Sequence, residues 1–103
     1  MEEKEILDTS VIFSKGEGTV TIFTLIEHPP SARKGLNVIF PDTADYVKAL
    51  EISNKLREKG KPVGSIDIII AGMCLNRSAK LLSKDNDFKI IHGIFPEFKL
   101  QLI

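Results

Sequence analysis

Along this chain, short runs of β-branched and aliphatic residues alternate with stretches whose apolar positions recur every three or four residues. "EILDTS" predicts a strand ending near Asp8, with Thr9 and Ser10 in the turn beyond it. "SKGEG" reads as a surface link. "TVTIFTLIEHPP" predicts a strand and then one or two helical turns, closed by Pro29 and Pro30, with Thr24 and Glu27 at capping-box spacing. "GLNVIFP" is a further strand. "DTADYVKALEISNKLREKGKP" carries the clearest helical pattern, with Asp42 as cap, Asp45 near the positive end, and Gly60 and Pro62 as the stop. On its wheel Lys48, Glu51, Lys55, Glu58 and Lys59 share a solvated side. Tyr46, Ala49, Leu50, Ile52 and Leu56 form a wide face expected to be buried.

"SIDIIIAGMCLNRSA" opens with Ser65 as cap and Asp67 in the first turn, and runs to about Ala79. It is apolar nearly all round, which marks it as the central buried helix. Gly72 inside it costs roughly 1 kcal/mol of helix stability unless another backbone packs against it. "KLLS" then reads as a strand, "KDND" as a turn, "FKIIHGIFP" as a strand bent at Gly93, and "FKLQLI" as an edge strand or docked tail. Strands interleaved with helices predict an α/β fold, a three-layer sandwich around a mainly parallel central sheet.

At 103 residues the chain has room for one domain, spanning 1–103, and not for two. Fourteen basic residues balance fourteen acidic ones, so no overall field draws it to nucleic acid or to an anionic membrane, and any such binding must be local. Glu2, Glu3, Lys4 and Glu5 at the start do not form an export signal, and no apolar run approaches the ~20 residues of a spanning helix. A cytoplasmic protein without membrane attachment is the expectation. Cys74 is the single cysteine, in an apolar run, and is expected to be a small buried residue.

The acids are more informative. Crevices in open parallel sheets lie beyond the carboxyl ends of the strands, where Asp8 and Asp85 both fall if their strands run the same way. Asp67, opening the central helix, belongs to the same rim by the usual crossover. Glu27 reaches it only by pointing inward. Carboxylates gathered this closely raise one another's pKa unless a cation neutralises them, and an all-oxygen set suits Mg²⁺ or Mn²⁺. Singly, each acid has a stronger structural explanation: an Asx turn at Asp8, the helix dipole at Asp67, a capping box at Glu27, and turn formation at Asp85 and Asp87. Their joint placement is what points to metal-assisted phosphodiester hydrolysis.

"ILDTSVI", "TIFTLIE", "SIDIIIAG" and "LLSKDNDF" stand in an order that resembles the PIN domain family, the VapC-like metal-dependent ribonucleases, from about Ile6 to Ile91. The resemblance implies Asp8, Glu27, Asp67 and Asp85 as catalytic and metal-binding acids, with Asp87 a weaker companion. Ser83 takes the place of the family's threonine, and Phe88 anchors the loop by packing. It also implies cleavage of single-stranded RNA, a homodimer, and an antitoxin-like protein partner. The nineteen positions from Asp8 to Glu27 are shorter than the family's usual insertion, which weakens the expected groove wall.

Lys84, beside Asp85, is the best-placed phosphate ligand, with Ser83, Thr9 and Arg33 as further substrate contacts. Arg77, Lys15 and Lys34 read more simply as solvated surface, and the "KLREKGK" run as charge suited to a helix end. His28 and His92 lack partners at ligand spacing. Phe13 and Phe23 are the candidates for base stacking. The rival reading is a catalytically weak or inactive module of the same fold that acts by pairing with itself or another protein, with the apolar "FPEFKLQLI" as its edge. A phosphoacceptor receiver domain fits less well, because "LDTS" offers one acid where that chemistry needs an adjacent pair.

Overall fold

The computed structural model describes residues 4–12 and 17–103, so Phe13 and Lys15 lie outside the described residues, as does most of the "SKGEG" link. The elements run β1 (Glu5–Leu7), β2 (Thr19–Thr21), α1 (Ile22–Glu27), β3 (Asn37–Ile39), α2 (Thr43–Glu58), α3 (Ser65–Arg77), β4 (Lys80–Ser83), α4 (Asp87–Ile94) and β5 (Lys99–Leu102). A 3₁₀ turn follows β1 at Thr9–Val11, and a longer 3₁₀ segment follows α1 at Pro29–Lys34.

β4 is the centre of a three-stranded sheet of order β1-β4-β5, and β2 pairs with β3 in a second, small sheet. Every strand pair among the described residues is parallel, with Ile6 opposite Leu81 and Leu81 opposite Leu100. The period-2 alternation sends Ile6 and Leu81 to one face, where Ile52, Leu56, Ile70, Phe88, Ile91 and Phe98 from the helical side form the larger core. Leu7 and Leu82 face the other way, against Val11, Ile12 and Val20. A sheet buried on both faces is the layered α/β architecture that the pattern predicts. β5 is the edge strand, so the alternative of a docked tail is settled in favour of pairing.

Asp42 caps α2 as expected, in a reciprocal box with Asp45: the Asp45 amide donates to Asp42 Oδ1 at 3.1 Å, and the Asp42 amide to Asp45 Oδ2 at 2.9 Å. The α2 stop is also where the sequence puts it, with Gly60 at φ 65°. Gly72 has the structural reason it needed. A Cβ there would stand 3.1 Å from the Asp45 carbonyl oxygen and 3.3 Å from the Ala49 nitrogen, so α2 and α3 cross with backbone close to backbone.

Several expectations are revised. "FKIIHGIFP" is a helix, not a strand: Phe88, Ile91 and Phe95 are buried at i, i+3 and i+7, and Lys89 and His92 face solvent. Paired isoleucines favoured the strand reading, but one continuous core on one side rewards the 3.6-residue period instead. His92 therefore sits on this helix, bonded through Nδ1 to the Phe98 carbonyl at 2.7 Å. The wide apolar face of α2 is narrower than its wheel, since Ala49, Ile52 and Leu56 are buried while Tyr46 and Leu50 are exposed. Thr24 lies inside α1 rather than at its cap, and no side chain caps that helix. α3 begins at Ser65 with Gly64, not Ser65, in the capping position, and ends at Arg77. No helix among the described residues is long and apolar enough to cross a membrane.

Candidate metal centre

β1 and β4 run in parallel and end side by side, the Asp8 amide donating to the Leu82 carbonyl at 2.9 Å. The residues just past both strand ends therefore meet. Asp8 is buried at 8 % exposure, which a carboxylate tolerates only with donors around it. Two hydroxyls supply them: Ser10 donates to Asp8 Oδ2 at 2.9 Å and Ser83 to the same oxygen at 2.8 Å. Each hydroxyl also accepts from the loop after β4, Ser83 from the Asp85 amide at 2.9 Å and Ser10 from the Lys84 amide at 2.9 Å. Asp85 in turn accepts the Asp87 amide at 2.9 Å, which starts α4. "DTS" and "SKDND" are thus laced into one hydrogen-bonded unit. Ser10 was legible from sequence only as a turn residue, although a hydroxyl two positions after an acid is the signal for such a contact.

Asp67, Asp85 and Asp87 come together, with a carboxylate oxygen from each lying within 4.8 Å of the others. They derive from the first turn of α3, the loop after β4 and the first turn of α4. Asp8 and Glu27 stand around this trio rather than in it. Glu27, exposed at the end of α1, is tied to the Asp8 turn by the Thr9 hydroxyl at 3.2 Å. Burial pushes the half-buried Asp67 carboxyl up to about 6, and the charges of Asp85, Asp8, Asp87 and Glu27 add to the rise. The other four predicted acids thus all lie close enough to act on Asp67.

This donor set fits a hard divalent cation. Oxygens on opposite sides of a Mg²⁺ or Mn²⁺ ion stand roughly 4 Å apart, so small side-chain rotations, or intervening waters, bring three carboxylates into range. Burial first, and then the neighbouring acids, disfavour the Asp67 charge, which a cation in the cluster would offset.

The remaining candidates divide. Lys84 and Arg33 are exposed. Arg77, read from sequence as surface charge, instead donates to the buried Asp45 at 2.8 Å and to the Met73 carbonyl at 3.0 Å, which makes it structural. His28 is engaged with Ser31 at 2.8 Å. Burial pushes the Cys74 thiol up to about 12, consistent with the inert core residue expected. Phe88 is fully buried with its ring 6.3 Å from that of Phe98, the anchor expected behind the acidic loop. Phe23 packs partly buried against the larger core.

Comparison with known structures finds the same fold in the DNA-bound VapBC from Salmonella typhimurium, at 21% identity and TM-score 0.74 over 97% of this chain and 98% of that one. VapBC2 from Rickettsia felis, bound to a DNA fragment from its promoter, aligns at 16% identity and TM-score 0.76 over 96% and 98%. VapBC-5 from Mycobacterium tuberculosis, of a family of toxin–antitoxin systems, aligns at 19% and 0.75 over 99% and 98%. No curated protein matches in sequence. Identities this low speak for the fold alone, but the model of the PIN domain family matches residues 30–93, which include Asp67, Asp85 and Asp87 and leave out Asp8 and Glu27. That match spans well over half of the sequence: the chain belongs to the PIN domain family.

Proposed function

We propose that this protein is a divalent-metal-dependent endoribonuclease that hydrolyses phosphodiester bonds of single-stranded RNA. The observation that carries the proposal is the convergence of Asp67, Asp85 and Asp87, from three separate elements, on one small volume ringed by two more acids. Gathering the three carboxylates costs electrostatic energy that a bound cation would offset. Asp67, Asp85 and Asp87 would hold Mg²⁺ or Mn²⁺, with Asp8 and Glu27 completing the acidic wall. When bound, the ion supplies an activated water and an electrostatic partner for the phosphate oxygens.

The chain's own groups have definite tasks in this reading. Ser10 and Ser83 fix the Asp8 carboxylate by two hydroxyl bonds, and the Ser83–Asp85 amide bond fixes the loop. Glu27, outside the trio that would hold the ion, and Asp67 are the two acids proposed to accept a proton from the attacking water. Lys84, Arg33 and Thr9 are the proposed substrate contacts; Ser83, expected among them, is fully buried with its hydroxyl committed to Asp8 and the Asp85 amide, and acts by holding the loop. Calorimetric titration with Mn²⁺ is expected to show binding in the wild type that is lost in Asp67→Asn. Divalent-dependent cleavage of single-stranded RNA is expected to be lost in Asp85→Asn at unchanged circular dichroism. No uptake of Mn²⁺ at millimolar concentration removes the basis of the reading.

A second reading, a partner-binding module with weak or no catalysis, is favoured by a specific feature. Phe40, Tyr46, Val47 and Leu50 are all more than half exposed. Such a surface suits a second copy of the chain or an antitoxin-like protein, in keeping with the VapBC assemblies that share the fold. Both readings hold together if the partner controls the nuclease. Sedimentation of the purified chain distinguishes a self-paired form from a monomer that awaits another protein.

A further inference from the structure

We propose that the groove between the end of α2 and the outer side of α4 carries the phosphate backbone of the RNA strand, gripped by Lys59, Lys61 and Lys89. The identity of the strand rests on the ribonuclease reading. The groove, of about 450 Å³, is lined by these three lysines together with Ile90, Gly93 and Ile94. Sequence joins Lys59 and Lys61 only to a helix end; Lys89 comes from a different helix, and only the fold puts all three on one cleft.

Local stability accounts for Lys59 and Lys61, which suit the carboxyl end of α2, but not for Lys89. Lys89 is the third residue of α4, the end of a helix that favours negative charge. Among the described residues none of the three enters an ion pair, whereas Lys48 pairs with Glu51 at 2.9 Å and Lys80 with Glu5 at 3.3 Å. Three exposed ammonium groups lining one groove give it a local positive potential that suits an anion. The floor is apolar and open: nothing stands within 4 Å of where a Cβ on Gly93 would be, which leaves room for ribose or base beside Ile90 and Ile94.

The groove flanks the acids across α4: Lys89, two residues beyond Asp87, projects from the opposite side of a helix ~10–12 Å wide, and Lys61 enters the short extended segment that leads to Asp67, so a strand leaving the groove reaches the acids by passing the start of α4. The chain as a whole carries no net charge, and its acidic rim repels phosphate, so a polyanion brought to the acids needs a local positive track alongside.

The test is binding of a fluorescent mixed-sequence single-stranded RNA of about 12 nucleotides. Chelator prevents cleavage, and anisotropy is read across a salt series. Replacing all three lysines (K59A/K61A/K89A) is expected to flatten the dependence of log affinity on log salt by about 2, from the ~0.7 per phosphate contact of single strands. The arginine triple (K59R/K61R/K89R) is expected to retain the wild-type slope. A control triple removing equal charge elsewhere, K4A/K48A/K99A, is expected to change it little. An unchanged slope in the groove triple, an equal loss in the control, or no RNA binding by the wild type overturns the proposal. Mn²⁺ calorimetry on the same proteins separates the two claims. RNA held through the lysines with no Mn²⁺ uptake upholds the groove and sinks the nuclease; Mn²⁺ uptake with a salt slope indifferent to the lysines does the reverse.

Discussion

Asp45 and Asp67 occupy equivalent places, the third residue of α2 and the third of α3, yet the fold treats them in opposite ways. Asp45 is buried to 1 % exposure, and burial alone would push its carboxyl up. Hydrogen bonds from Arg77, the Asp42 amide and Asn76 outweigh that, and hold it below the ordinary value. Asp67 is only half-buried, caps nothing, and faces four other acids, so the same helix-start position ends with its carboxyl raised to about 6. The dipole at a helix start is worth at most a couple of kcal/mol, and neighbours decide the rest. One acid is a structural joint between helices; the other is held in an environment that disfavours its charge.

Three experiments bear on that contrast, the strongest first. Arg77→Ala strands the buried Asp45 carboxylate and is expected to cost about 3 kcal/mol in urea unfolding. The double variant D45N/R77M, which removes both charges together, is expected to recover part of the loss; a single Arg77→Ala variant as stable as wild type would mean that Asp45 is not a joint at all. Asp67→Asn has the opposite sign. In the metal-free wild type the Asp67 carboxyl takes its proton at about 6 when folded, against an ordinary 3.8. Between those values the folded chain binds more protons than the unfolded one, so stability falls as pH rises through the window and stays low above it. Asp67→Asn is therefore expected to raise the metal-free Tm by a few degrees at pH 8, with the gain gone below about pH 4. An equal gain at every pH would refute the electrostatic explanation. The smallest effect is Gly72→Ala, where overpacking against the Asp45 carbonyl outweighs the better helix propensity of alanine by about 1 kcal/mol. A gain in stability there would show that the α2–α3 crossing relaxes freely.

How much of this was legible in the chain differs from element to element. β1, β4 and the acids after them were readable because a strand's end and a turn former are local signals, and parallel pairing then brings the two ends together. α4 was not, because "FKII" satisfies strand and helix patterns alike until the Phe98 side of the core is present to reward one of them. Asp87, read as the weaker companion, lies in the tight trio, while Asp8 is engaged by two serines. Which acids are nearest neighbours depends on the angle at which α4 leaves the loop, and no residue type reports that angle. The surface role given to Arg77 failed for a similar reason, since its partner lies thirty-two positions away.

By itself, then, the sequence determined the order of the elements as far as β4, the start and stop of α2, the α/β class and the candidate acids, because capping, glycine turns and hydrophobic periodicity act over a few residues. Only the tertiary structure decided which charges share a space: Asp45 with Arg77, Asp67 with Asp85 and Asp87, Lys59 and Lys61 with Lys89. Electrostatic energy depends on distance and burial, and for residues far apart in the chain both are set by how the helices cross the sheet.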